Sequence, residues 1–239
     1  IYMRGLDVLQ IPTTLLAQVD ASIGGKTGIN FAGVKNLVGT FKDPIAVIID
    51  LDLLKTLPDR EYLSGFAEII KHGLIFDEKY FLTLKSTLKF SDSELEKIIT
   101  KSCQIKAKIV AADPQEKNVR KILNFGHTIG HAIEALSLEN PKPLLHGEAI
   151  FLGMIVENRI SYLSGLLKEK DFLLVDEFLK KIVKPVQLDT ERILKKILFD
   201  KKNEFGRINF TLLKAVGRAI YNQQVDEKII IEALNYENN

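Results

Sequence analysis

Val8-Leu9-Gln10-Ile11, closed by Pro12, and Ala46-Val47-Ile48-Ile49, closed by Asp50, flank the glycine-bearing segment Gly24-Gly25-Lys26-Thr27-Gly28. Short, largely apolar β-branched runs of this kind mark strands buried on both faces of a parallel sheet. A glycine-bearing loop after the carboxyl end of a strand is where such sheets bind ligands. The start of the chain therefore reads as α/β. Past Pro58 the pattern changes, and Leu63, Phe66, Ala67, Ile70 and Leu74 recur on one helical face. Ser91 and Glu94 form a capping box ahead of Leu95, Ile98, Ile99, Cys103, Ile105 and Ile109. Further helical patterns cover 121–138, 147–164, 169–183, 190–198 and 226–236, with a single strand expected over 208–213. No repeat or linker interrupts the series, so the change near residue 58 reads as a packed junction between 1–58 and 59–239.

The bulk properties exclude several classes. A chain of 239 residues, 46% apolar and 27% charged, is an ordinary globular composition rather than a disordered or fibrous one. A net charge of +2 gives no reason to expect a nucleic-acid or membrane-surface partner. No apolar run approaches the roughly 20 residues of a membrane helix. Ile1-Tyr2-Met3-Arg4-Gly5 lacks the layout of a signal peptide and reads as an opening in mid-domain. The one cysteine, Cys103, excludes an internal disulfide framework, fits a reducing cytoplasm, and lies on an apolar helical face as a buried structural thiol.

The glycine segment is not a P-loop, because Asp20 stands where that motif requires its first glycine. A glycine turn with Lys26 can still hold a phosphate through backbone N–H groups and a point charge, and a plain structural turn is the competing reading. The densest signal is Asn124-Phe125-Gly126-His127-Thr128-Ile129-Gly130-His131, followed by His146-Gly147-Glu148. His127 and His131 share a helical face. With His146 they are suited to a metal or to catalysis, against the alternative of separate hydrogen-bonded imidazoles; the spacing is not that of a zincin protease. A catalytic zinc site takes three protein ligands and an open position. Glu68, framed by apolar neighbours, is explained by metal ligation or by a buried ion pair with Lys71. Lys35, Lys106, Arg120 and the run Asp200-Lys201-Lys202-Asn203 are each, taken alone, ordinary surface charges.

Taken in order, these segments resemble the 3-dehydroquinate synthase family along nearly the whole chain. The resemblance rests on Arg4-Gly5, Pro12 to Asp20, Gly24 to Gly28, Gly33-Val34-Lys35-Asn36, Leu54 to Pro58, Ala67 to Lys71, Asn124 to His131, Leu145 to Glu148, and Asp200 to Asn203. It implies a Rossmann-like NAD-binding α/β domain, of which 1–58 is a remainder, followed by a mainly α-helical metal and substrate domain over 59–239. It implies that Glu68, His127 and His146 bind zinc, with cobalt as an alternative, and that His131 serves the substrate instead of the metal. Lys71, Asp20 and Asn124 match catalytic positions. Arg4, Lys26, Asn36, Lys106, Arg120, and Lys201 or Lys202 match substrate contacts, Arg4 by reaching into a second subunit of a homodimer. Thr13, Thr14, Asp20, Lys26, Lys35 and the segment Leu53, Leu54, Lys55, Thr56 match NAD contacts.

The implied substrate, a seven-carbon keto-acid sugar phosphate, carries both phosphate and carboxylate, which accounts for the number of cations. NAD is reduced and regenerated in each turnover, and zinc supplies a Lewis acid. The family's glycine-rich pyrophosphate segment falls upstream of residue 1, so little turnover is expected of this chain alone. The stretch around Glu139-Asn140-Pro141-Lys142-Pro143 reads as an expanded surface loop. Rival readings are another sugar phosphate cyclase, for which Arg120 and Lys106 are the discriminating residues, a metal-dependent polyol dehydrogenase, and a non-catalytic metal-binding or dimerisation module.

Overall fold

The computed structural model describes residues 6–31, 34–86, 90–183, 186–198 and 208–236. Arg4, Lys201, Lys202 and Asn203 lie outside them, and of Lys35 and Asn36 only the backbone is described. The chain opens with β1 (Leu9–Gln10), β2 (Lys26–Phe31), β3 (Val34–Phe41) and β4 (Ala46–Val47). β1 and β4 pair in parallel with Leu9 opposite Ala46, as the two apolar runs require. The expected burial on both faces is corrected: Leu9 is 47% exposed, Ile11 54% and Ile48 49%. Their apolar character calls for a covering layer that the described residues do not supply.

Gly24 and Gly25 have φ of +110° and +64°, the left-handed conformation that glycine adopts without cost. The chain then enters the antiparallel β2–β3 hairpin, which the apolar pattern did not reveal because its strands alternate with glycine, lysine and asparagine. Its apolar side chains are also open, with Ile29 and Phe31 each 61% exposed.

Helix α1 (Asp59–Phe76) starts directly after Pro58 and is buried at every residue from Ser64 to Ile75, so it runs through the molecule instead of over it. Asp77 ends it, and its carboxylate accepts from the Tyr80 N–H at 3.0 Å to start α2 (Glu78–Ser86), a helix not anticipated from the sequence. α3 (Asp92–Ala112) carries the expected capping box, with Ser91 N–H donating to Glu94 at 2.8 Å. The pattern over 121–138 divides into a 3-10 turn, Val119–Asn124, and α4 (His127–Ser137). The break falls at Gly126, whose φ is +81° and where a Cβ would strike Met154 and the Ile150 carbonyl.

α5 (His146–Leu163), α6 (Glu169–Ile182), α7 (Thr190–Leu198) and α8 (Glu227–Tyr236) follow close to expectation. The expected strand is present as β5 (Asn209–Ala215) and turns at Gly217 into a second strand, β6 (Arg218–Gln224), that the sequence reading lacked. Two apolar clusters fill the interior. α1, α3 and α6 surround Phe66, Ile70, Ile105 and Phe178, while α4, α7, α8 and β5 surround Ile129, Ile197, Phe210 and Ile230. α5 belongs to both, giving Phe151 and Met154 to the first and Leu152 and Val156 to the second. A helix buried all round must be apolar all round, which is what Ala149 to Val156 encodes.

Candidate metal centre and its cation-rich surroundings

The site is assembled by glycines that let helix backbones touch. The Gly147 N–H donates to Ser64 Oγ at 3.0 Å, and a Cβ at 147 would collide with the Ser64 carbonyl. The amino end of α5 is thereby pinned to α1 one turn from Glu68. Farther along α5, a Cβ at Gly153 would collide with the Gly126 carbonyl and the Gly130 backbone, so α4 lies directly on α5. The result is that Glu68 from α1, His127 from the first turn of α4 and His146 from the first turn of α5 converge.

Both imidazole Nε2 atoms lie 3.8 Å from Glu68 Oε1. The other ring edges are held from behind: His127 Nδ1 faces the Phe125 carbonyl at 3.2 Å, and His146 Nδ1 faces Glu134 at 3.3 Å. A carbonyl can only accept, so His127 donates through Nδ1–H and presents the Nε2 lone pair to Glu68.

Glu68 is fully buried, and neither of its oxygens makes a hydrogen bond of regular geometry, although Oε2 forms an ion pair with the equally buried Lys71. Burial opposes its charge, but the Lys71 ammonium and His146 outweigh it and hold the carboxyl well below the usual range. Burial and Lys71 push His127 well below its ordinary value. For His146 burial is opposed by Glu134 and Glu68, which raise it to about 9. Two imidazole nitrogens near 4 Å from an orphaned carboxylate oxygen fit one cation held by bonds of about 2.0–2.2 Å. Glu68 thus forms the ion pair with Lys71 and at the same time faces the two histidines as a candidate ligand set.

His131 lies one turn beyond His127, with ring centroids 5.0 Å apart. With Glu134 and His146 it forms another group close enough to share a cation; Glu68, His127 and His146 form a more buried one, and Glu68 with Asp20 and His72 a third, deeper still. The fourth histidine, His72, carries no motif and was missed. It is buried on α1 with Nδ1 at 2.7 Å from Ser102 Oγ, and burial with Lys71 pushes it down to about 3.

Cations and their counter-charges surround this centre. Lys106 Nζ lies 2.5 Å from both the carboxylate and the carbonyl of Asp20. Burial raises the Asp20 carboxyl, but Lys106 overcomes this and lowers it. Asn124 donates to Glu116 at 2.7 Å, and Glu116 also contacts Lys26. Glu116 was not singled out from the sequence. Its φ of 57°, uncommon for a residue with a side chain, turns it towards those two partners. Arg120 is 3% exposed and donates to the Pro114 carbonyl at 2.7 Å and the Gly24 carbonyl at 2.8 Å. It thus ties the glycine turn to the loop before α4. The Asp113 carboxylate orders that loop by accepting from the N–H groups of Lys117, Asn118 and Arg120.

The loops after β1 and β4 lie together at the carboxyl end of the parallel pair, where Gln18 Nε2 donates to the Asp50 carbonyl at 2.9 Å. Thr14 Oγ1 accepts from the Ala17 N–H at 3.2 Å, Leu54 is buried in the core, and Lys55 pairs with Asp52 at 2.7 Å. Cys103 is half-buried, packed against the core with its Sγ 3.5 Å from the Gln18 carbonyl, and burial raises its thiol to about 11, as suits a structural role. Among the described residues no helix is long and apolar enough to cross a membrane.

Family models described as 3-dehydroquinate synthase N-terminal and C-terminal match residues 1–64 and 65–203. The 3-dehydroquinate synthase of Thermodesulfovibrio yellowstonii is 44% identical over 98% of this chain and 67% of its own length. That of Alkaliphilus metalliredigens is 47% identical over 91% of this chain and 62% of its own. The chain thus spans about two thirds of the length of these relatives. Among solved structures, a 2-deoxy-scyllo-inosose synthase complexed with carbaglucose-6-phosphate, NAD+ and Co2+ superposes with a TM-score of 0.85 at 30% identity, covering 98% of this chain and 67% of that one. A 2-epi-5-epi-valiolone synthase from Streptomyces hygroscopicus with NAD+ and Zn2+ bound gives 0.85 at 28%, covering 99% and 68%.

Proposed function

Because the chain belongs to the 3-dehydroquinate synthase family, we propose that it carries the metal centre and most of the substrate site of an enzyme closing a seven-carbon keto-acid sugar phosphate to 3-dehydroquinate with loss of phosphate. The observation that carries this reading is the convergence of Glu68, His127 and His146 beside Lys71. A metal ion there supplies Lewis acidity towards a substrate hydroxyl, and NAD supplies a hydride acceptor that is regenerated. Residues 1–58 are the remainder of a Rossmann-like NAD domain and 59–239 the metal and substrate domain. Thr13, Thr14, Asp20, Lys26, Lys35 and the segment Leu53 to Thr56 surround the dinucleotide. The joined strand ends favour this, as ligands of α/β sheets bind at carboxyl ends.

Lys71, buried beside Glu68, places a positive charge next to the ion site and favours a substrate alkoxide there. His131 stands close enough to that site to take or return a proton at a substrate oxygen. Asn124, Lys26 and Lys106 are held by Glu116 and Asp20, so polar groups that bind substrate are already oriented before it arrives. Asn36, Arg4 and Lys201 or Lys202 complete the anion contacts, Arg4 from a second copy in a homodimer.

A second reading, a cyclase acting on a sugar phosphate without a carboxylate, is favoured by the two structural neighbours named above. Relatives at 44% and 47% identity, against neighbours at 28% and 30%, put the carboxylated substrate first. The test is release of inorganic phosphate by the full-length parent, supplied with NAD, zinc and the keto-acid sugar phosphate. Phosphate release from a hexose phosphate but none from the keto acid would reverse the order of the two readings.

A further inference from the structure

Glu157 lies on α5 about three turns from His146 and has no part in the reading above. Its side chain is fully buried, yet its carboxylate points at the start of α4: Oε2 accepts from the Gly126 N–H at 2.6 Å and Oε1 from the Ile129 N–H at 3.0 Å. The first N–H groups of a helix have no partner within it and are ordinarily met by a side chain at the N-cap. Here the N-cap is Gly126, which has no side chain and cannot acquire one, since a Cβ would strike Met154 and the Ile150 carbonyl. The cap comes instead from another helix. Burial raises the Glu157 carboxyl to about 8, and the N–H groups it meets pull the other way, as does the helix dipole, which favours an anion at a helix amino terminus.

We infer that Glu157 is a positioning residue for the metal centre, fixing the first turn of α4 on α5 so that His127 and His146 face Glu68 at the same time. Three features support this beyond the cap itself. The donors at 126 and 129 bracket His127, so the carboxylate grips the turn on which that ring is mounted. The same turn supplies the Phe125 carbonyl that holds His127 Nδ1. Gly153, one helical turn before Glu157, brings the two backbones into contact, which leaves no slack for α4 to shift without breaking these bonds.

This inference rests on the metal reading, and one experiment separates the two. Glu157→Gln keeps the shape but offers one acceptor oxygen to donors that require two, and turns an NH2 group on an N–H. The chain and the variant are titrated with Zn2+ against a chromophoric chelator, and their Co2+ forms are compared by visible absorption at saturating metal. The variant is expected to bind Zn2+ roughly 10- to 100-fold more weakly. Its Co2+ ligand-field bands are expected to shift even when every site is filled, because the ligand geometry has changed.

Ser161→Ala is the control for stability alone: on the same helix, it removes a hydroxyl that donates to the Glu157 backbone carbonyl and accepts from the Leu213 N–H on β5, and leaves the α4 cap intact. It is expected to lower the unfolding midpoint without moving the bands. Unchanged affinity and bands in Glu157→Gln, or the same band shift in Ser161→Ala, would overturn the positioning role while leaving the metal centre standing. An unsubstituted chain that binds neither ion would overturn both.

Discussion

Glu134 lies 3.3 Å from the Nδ1 of His146, on the opposite edge of the ring from the nitrogen that approaches Glu68 at 3.8 Å. A carboxylate in that place sets the tautomer of the imidazole and the direction of its lone pair. Replacing Glu134 with alanine should weaken Zn2+ binding roughly 10- to 100-fold, and glutamine, which keeps an acceptor oxygen, should cost less. Chelator competition measures both. Equal affinities across the series would mean that packing alone orients the ring.

Metal content decides between the two histidine triplets. Glu68→Ala and His146→Ala should purify with little zinc, since each removes one of the three proposed ligands. His131→Ala should retain its zinc and lose turnover in the full-length parent. A zinc-free His131→Ala beside a fully loaded Glu68→Ala would transfer the site to His131, Glu134 and His146.

Arg120 has two tasks to separate. A charge-assisted hydrogen bond to a substrate carboxylate is worth about 1.5–3 kcal/mol, so Arg120→Ala in the full-length parent should lower kcat/KM roughly 10- to 100-fold. The loss should be smaller for an analogue lacking the carboxylate. Equal losses for both would assign Arg120 to its observed grip on the Gly24 and Pro114 carbonyls.

Asp113 gives the loop before Arg120 a definite dependence on pH. Burial raises its carboxyl, but hydrogen bonds from Asn118, Arg120 and Lys117 outweigh that and lower it in the folded state. A depressed carboxyl stabilises the fold above its unfolded value of about 3.9, and the contribution is lost as pH falls through the folded value. The stability gap between the unsubstituted chain and Asp113→Asn, read from urea unfolding, should therefore be widest near neutrality and narrow below about pH 4. A gap of constant size down to pH 3 would show that the carboxylate charge is irrelevant there.

Periodicity made every helix but the short α2 legible, because each buries a continuous stripe or, like α5, its whole circumference. It failed where local chemistry governs. The β2–β3 hairpin has an exposed surface and so no apolar alternation to read, and β6 follows from Gly217 rather than from its own composition. The break at Gly126 was hidden because a helical pattern runs through it, and only the approach of Met154 and Ile150 explains it. The histidines were visible as a cluster. Which three atoms face one another was implied only by the family resemblance and not by the spacing, because that depends on how α1, α4 and α5 cross. Glu116 and Glu157 stand in no motif, and their roles exist only through partners distant in sequence.

Glu68, His127 and His146 belong to three helices, and no two are close neighbours in the chain. An ion can meet all three only after α1, α4 and α5 have packed, so the denatured chain gains little from it. Binding to the native state alone shifts the folding equilibrium by mass action, by about 2.7 kcal/mol when free metal stands at a hundred times the dissociation constant. The centre is then a thermodynamic latch on the tertiary fold. Under metal starvation, the population of folded chain would fall along with the occupancy of the site.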